Sequence, residues 1–252
     1  MRAGPIEFLA CFPGKEHESI VALDASALHI YLALGLIGLE PGHPPRWDDQ
    51  RGRFEPPTGD LVDVALEWND GPQRRTATGF QWLRDFEFAR TPIERPWVFA
   101  GSRRLRDGTL AADHNGEGIA VVDKPDSLLA LSRSYVSRDA ELWAHAAPAE
   151  IPPLNTPVRV VLQPAAPRAR EIGIDFRGAA FVDGRYAHVA DVVDLIKLGR
   201  RCTPDRVQRI QIDGTLSSDL AFWRRKLADA GLPSQAVQFV RQNERDPART
   251  PH

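Results

Sequence analysis

Between residues 163 and 171 the chain reads QPAAPRARE, two prolines and three alanines in nine positions. Apolar periodicity runs up to this stretch and resumes after it, and its composition is that of an interdomain linker. It divides the 252 residues into two expected domains, 1–163 and 168–245, followed by a tail at 246–252. Each is long enough to bury a core. Charge divides with them: residues 1–167 carry a net −6 and residues 168–252 a net +4. The basic residues are not interleaved with stacking aromatics, so nucleic acid is not an expected partner. No stretch approaches the roughly 18 consecutive apolar residues of a membrane-spanning helix. The apolar run at 27–39 is broken by His29, Gly35 and Gly38. No signal peptide is legible, yet a strand pattern begins by Ile6, as it would if Met1 replaced a trimmed export signal.

In the first domain Ile6, Phe8, Ala10 and Phe12 alternate with Glu7, Leu9 and Cys11, the pattern of a half-buried strand. Pro13-Gly14 is a turn and SIVAL (19–23) a second strand, which predicts a hairpin with residues 13–18 at its tip. DASALHIYLALGLIG predicts a helix capped by Asp24 or Ser26 and stopped by Gly38 and Pro41. Residues 41–60 (PGHPPRWDDQRGRFEPPTGD) read as a long loop, and such loops are uncommon in compact domains unless functional or mobile. From Leu61 onward LVDVALEW, TGFQWL, PWVFAGSRRL and GEGIAVVD read as strands. DKPDSLLALS offers a helical turn, and PVRVVLQP is a last strand. The sum is an antiparallel-rich α+β domain.

The second domain begins with the strand IGIDF and a turn at Asp183-Gly184. VADVVDLIKLGRR places Val189, Val192, Val193 and Ile196 on one helical face, with Pro204 beyond its end. RVQRIQID is a strand. Ser217 or Ser218 caps a helix carrying Leu220, Trp223 and Leu227, which Gly231 and Pro233 stop. AVQFV closes the domain. The expected order is β-β-α-β-α-β, with both helices on one face of a small sheet. The fold class is therefore α+β in two domains.

Chemistry-bearing residues concentrate in CFPGKEHESI (11–20), which holds Cys11, Lys15, Glu16, His17 and Glu18 within nine positions. On the hairpin reading, His17 faces Cys11 across the turn, and His29 points back from the first turn of the next helix. One sulfur and two imidazoles suit copper, or zinc with a fourth ligand from Glu16, Glu18 or water. Cys11 with His17 as base is also the start of a cysteine-dependent enzyme, though no oxyanion site is visible. The third reading is structural: Lys15, Glu16 and Glu18 solvate a turn and Cys11 is a small core residue. The residues leave all three open.

Residues 107–118 (DGTLAADHNGEG) supply oxygens from Asp107, Asp113, Asn115 and Glu117, but not in the order of a calcium loop, and read as a polar turn. Arg200, Arg201, Arg206 and Arg209, with Arg224, Arg225 and Lys226, read as solvated helix ends. No CxxC occurs; Cys11 and Cys202 read as unpaired thiols, with one interdomain bridge as the alternative. There is no GxGxxG, P-loop, GxSxG or HExxH.

The first part, through IEFLACFPGKEHESIVALDASALHIYLALGLIGLEPG, PPTGD and WVFAGSR, resembles a YdjY-type domain over about residues 4–163, most specifically in C-x-x-G-K-E-H-E-S and the following Ala-Leu-His. That resemblance implies an exported bacterial protein and supplies no catalytic residues. The second part resembles the periplasmic domain of ExbD/TolR-type proteins over residues 170–242, by its layout and by VDGR and AGLP. The transmembrane helix of those proteins has no counterpart here, so motor coupling does not carry over. The resemblances imply a non-enzymatic binding or scaffolding protein of the bacterial cell envelope, periplasmic with a cytoplasmic location as the alternative, docking a protein partner or self-associating through its second domain. Copper or zinc enters only in the metal or redox alternative at Cys11, His17 and His29.

Overall fold

The computed structural model describes residues 4–50, 52–85, 95–132, 144–165, 171–202, 207–212 and 217–241. Pro204, Arg206 and the side chains of Arg201, Cys202, Ser217 and Ser218 lie outside the described residues. The chain is mixed α+β and divides into two compact units, Met1–Ala165 and Ala166–His252.

The first unit opens with β1 (Phe8–Cys11), β2 (Ser19–Ala22) and α1 (Ala27–Leu36), followed by the short pair β3 (Arg46–Asp48) and β4 (Arg53–Glu55). Then come β5 (Leu61–Asp70), β6 (Gln73–Thr78), β7 (Leu83–Asp85), β8 (Trp97–Phe99) and α2 (Ala111–Asn115). β9 (Ile119–Ala120), β10 (Leu129–Leu131), β11 (Ala144–Ala146) and β12 (Val158–Pro164) complete it. One large sheet runs β12-β5-β8-β10-β9-β1-β2, and β6 pairs the C-terminal half of β5 beside β8. Its β1–β2 and β9–β10 ladders are parallel and the rest antiparallel. β7 pairs β11 separately. The main core gathers Leu9, Phe12, Leu66, Phe80, Trp82, Phe99 and Leu110, all nearly or wholly buried.

Four expectations fail here, each for a physical reason. The opening hairpin is a parallel pair: Phe8 lies opposite Ser19 and Cys11 opposite Ala22. The Glu7 N–H donates to the Glu18 carbonyl (3.0 Å) and that of Leu23 to the Cys11 carbonyl (2.8 Å). A four-residue strand is only about 13 Å long, so residues 12–18 suffice to bring the chain back. Nor is β1 half-buried. All four of its residues are buried, because β9 and β2 flank it and both sheet faces are covered. TGFQWL is mostly a 3-10 turn over Gly79–Trp82, with the Thr78 N–H donating to Gln81 Oε1 at 2.7 Å. DKPDSLLALS is no helical turn. It supplies β10, whose three residues are buried between β8 and β9, and a short apolar run does not distinguish a buried strand from a buried helix. Residues 107–118 also contain α2, closed by Gly116 in the left-handed region.

The helix α1 is capped as its sequence predicts, the Ser26 Oγ accepting from the His29 N–H at 3.3 Å. Of the helically spaced Leu28, Tyr31, Leu32 and Gly35, however, the last two are exposed, and Ala27 and Leu34 are the buried residues. Asp113 of α2 adds a second cap, accepting from the Ala27 and Leu28 N–H groups.

The second unit contains β13 (Ile172–Ile174), β14 (Ala180–Val182), β15 (Arg185–Ala187), α3 (Val189–Cys202), β16 (Gln208–Ile212), α4 (Ser217–Asp229) and β17 (Val237–Arg241). Its sheet runs β15-β14-β13-β16-β17. The order is β-β-β-α-β-α-β, one strand more than expected. Asp183 (φ 50°) and Gly184 (φ 77°) form a two-residue hairpin turn, so AAFV and RYAH are separate strands. The parallel links, β13 to β16 and β16 to β17, pass through α3 and α4. Val192, Val193 and Ile196 of α3 are buried, as are Trp223 and Leu227 of α4. The Trp223 indole N–H donates to the Gly178 carbonyl at 3.1 Å. Among the described residues, no helix is long and apolar enough to cross a membrane.

Candidate functional site

The opening loop separates the residues that its sequence crowds together. Cys11 is fully buried in a small cluster with Phe8 and Ala120, apart from the main core. Burial pushes its thiol above the ordinary value, although the Ser19 hydroxyl opposes this by hydrogen bonding. His17 projects outward with a side chain 70% exposed, its Nε2 3.1 Å from Glu18 Oε1. His29 is exposed on α1. Among the described residues no three His, Cys, Asp or Glu side chains are placed to hold a metal ion, so the Cys11, His17 and His29 trio is not assembled. The hairpin that would have faced His17 toward Cys11 is absent, and the crossover carries the imidazole to the surface instead. Cys11 is a free thiol.

The rest of the loop is an ordered polar turn. Glu16 accepts from the Gly14 N–H through both carboxylate oxygens (3.0 and 3.1 Å), and backbone hydrogen bonds hold its carboxyl below the usual range. Lys15 Nζ lies 3.0 Å from Glu18 Oε2, and this hydrogen bond raises the ammonium. Lys15 also feels Glu7 and Glu117, and Glu7 pairs with Lys124, whose ammonium sits 5.5 Å from the Phe8 ring centroid.

Behind this layer a buried carboxylate pair reaches toward the other side of the unit. Glu117 is only 8% exposed, and its burial raises its carboxyl. Its Oε2 accepts the Asp126 N–H at 2.8 Å. The Asp126 side chain is also buried. It accepts from Asn115 Nδ2 (2.6 Å) and, in a two-pronged pair, from Arg103 Nε (2.9 Å) and Nη2 (3.2 Å). Arg103 belongs to a turn held from several directions. Ser102 has φ 60°, a costly conformation for a residue with a side chain, and its Oγ accepts from the Ala112 N–H at 3.0 Å. The Gly101 and Ser102 N–H groups donate to Leu128 and Ser127, and the Arg103 carbonyl accepts from Ala111. Next along the chain, the Arg104 guanidinium carbon lies 5.2 Å from the Tyr31 ring centroid.

Across from this turn the loop at 41–60 comes back to the same place. The Gly42 N–H donates to the Phe99 carbonyl (2.9 Å), and His43 and Thr58 exchange hydrogen bonds at 2.9 and 3.1 Å. Between the two lies an open cleft of about 450 Å³, lined by Gly42 to Trp47 on one side and Ser102, Arg103 and Arg104 on the other, with Pro125 at the end. Trp47 is 55% exposed.

The residues of this cleft were not picked out from the sequence. The length of loop 41–60 marks one wall, but WVFAGSR reads only as a strand, and no spacing in the sequence joins Arg46, Arg103 and Asp126. Of the failed calcium-loop residues, Asn115 and Glu117 serve Asp126, Asp113 caps α1, and Asp107 accepts from the Thr109 N–H at 3.0 Å.

Residues 7–163, the span that holds both the loop and the cleft, match the YdjY domain. The chain belongs to the YdjY domain family. Residues 164–252 lie outside that match. No curated protein and no solved structure matches the chain.

Proposed function

We propose that this YdjY-domain protein acts by binding rather than by catalysis, as a scaffolding protein of the bacterial cell envelope. In this reading the first unit holds a ligand or partner in its cleft. The second, whose layout resembles ExbD/TolR periplasmic domains, docks a protein or self-associates, with α3 and α4 on one face of its sheet. The observation that carries the reading is the pair Arg103 and Arg104. Each is held in place by a group of this chain, Asp126 for one and Tyr31 for the other, at the edge of a preformed cleft. Donors fixed before a ligand arrives lose little freedom on binding.

Cys11 supports the same side of the argument. A catalytic thiol is accessible and held low, whereas this one is buried and pushed up. The test is an alkylation time course on the folded full chain near neutral pH, beside the same protein in denaturant. Slow labelling until unfolding is the expected result. Rapid stoichiometric labelling of the native thiol at Cys11 would restore the cysteine-enzyme reading. Sedimentation of the full chain over a range of concentrations tests the second unit, with reversible self-association or a defined complex with a partner expected.

A further inference from the structure

We propose that the cleft between Trp47 and Arg103 takes a small ring-bearing anion, an organic phosphate or carboxylate of one or two negative charges. The inference rests on the binding reading above and specifies what is bound.

Charge comes first. Among the described residues the lining contains three arginines, Arg46, Arg103 and Arg104, and no carboxylate. Arg103 is matched by Asp126 and Arg46 stands opposite Glu55 across the β3–β4 pair, so the charge left for a ligand is about two positive charges at most. This excludes a polyanion as the best occupant and fits a monoester phosphate or a mono- or dicarboxylate. The donors also have the right form. The pair with Asp126 uses Nε and one Nη2 hydrogen of Arg103, and a guanidinium carries five N–H groups. Its side chain is 60% exposed, so the remaining edge is open to a second acceptor. Planar forks of this kind bind carboxylate and phosphate through paired hydrogen bonds.

Shape supplies the second half. The volume of about 450 Å³ is that of a site for a small organic molecule, larger than a bare inorganic anion requires. Beside the polar His43 and Ser102, part of the remaining wall is apolar and flat: Pro44, Pro45 and Pro125, with the half-exposed indole of Trp47. An indole beside proline faces suits the face of a sugar or aromatic ring.

Isothermal titration of the full chain tests this with four probes: phenyl phosphate, benzoate, inorganic phosphate and phenol. Both ring-bearing anions are expected to bind saturably, about tenfold or more tighter than inorganic phosphate, with phenol showing no binding. The stronger of phenyl phosphate and benzoate identifies the acid group. Arg46→Ala with Arg104→Ala is expected to weaken the ring-bearing anions by about tenfold or more. Trp47→Ala should erase their advantage over inorganic phosphate while leaving inorganic phosphate unchanged. All of these side chains line an open cleft, and an unchanged thermal midpoint confirms that each variant folds. Equal binding of inorganic and phenyl phosphate overturns the ring requirement. Absence of binding by every anion at millimolar concentration overturns the anion cleft, and so does binding unaffected by the arginine variants. Such a failure leaves slow Cys11 labelling and self-association unaltered, whereas failure of the binding reading appears in those measurements.

Discussion

Residues 12–18 join β1 to β2 and residues 41–60 join α1 to β5, and the two segments meet the rest of the first unit differently. The shorter one is anchored by the buried Phe12 and packs Pro13 and Lys15 on Gly116, but its tip is open: a Cβ at Gly14 would touch nothing within 4 Å. The longer one is clamped at its base by backbone against backbone. A Cβ at Gly59 would stand 2.0 Å from the Phe99 carbonyl oxygen, and one at Gly42 2.2 Å from the Thr58 carbonyl. Length is thus a poor guide to rigidity. A long loop presents its side chains in fixed positions when its two ends are closed without intervening Cβ atoms, and this is how Arg46 and Trp47 come to form a wall.

The sharpest way to break that comparison is one methyl group in each loop. Gly59→Ala meets both the Phe99 carbonyl and a φ of +136°, and is expected to cost about 3 kcal/mol or more of stability, or to prevent folding. Gly14→Ala meets only its φ of +103° and is expected to cost about 1–2 kcal/mol. Urea unfolding of the two variants measures the difference, and equal losses would mean that the longer loop is not clamped.

An intermediate effect is expected where Glu117 lies behind the opening loop. Burial raises its carboxyl above the unfolded value, so the folded protein holds this proton more tightly than the unfolded chain does. The stabilisation is complete below the unfolded value, near 4.3, and is lost as pH rises through the raised folded value. Glu117→Gln keeps an acceptor for the Asp126 N–H and removes the ionisation. The variant is expected to unfold at higher denaturant than wild type at neutral pH and to lack this pH dependence, which unfolding midpoints from about pH 4 to 8 would reveal. The smallest effect belongs to His17→Ala, whose exposed ring should change stability by no more than about 0.5 kcal/mol by the same measurement. A larger loss would give the opening loop a structural weight that its exposure denies.

Legibility followed burial. Where one side of an element faces water, periodicity survives, and β5, β12, α3 and α4 sit close to where their patterns put them, whereas α1, which is apolar on its exposed side too at Leu32 and Leu36, is marked by its cap and its stop. Where both faces are covered the pattern misleads: the alternation of β1 suggests a wet face that it does not have, and the short apolar run of β10 reads as a helical turn. The extra strand of the second unit is implicit in its turn: Asp183-Gly184 requires a strand on each side, AAFV and RYAH, where the expected order counts one. The site was harder. Local density of reactive residues drew attention to Cys11 and His17, but density says nothing about which of them the fold hides. Arg46, Arg103 and Asp126 are joined only by the return of the long loop to the turn at Ser102, and no spacing in the chain announces that.

The parallel pairing of β1 with β2 has a consequence for the newly made chain. β1 finds β2 after a short crossover, so this contact forms as soon as both strands leave the ribosome. Its other neighbour, β9, is on the order of a hundred residues further along, so one edge of β1 waits as long for its partner. During synthesis a strand wholly buried in the finished sheet is therefore left with one unpaired edge. Yield in cells should then depend on how that interval is guarded, by slow translation or by a chaperone, more than on the stability of the completed fold.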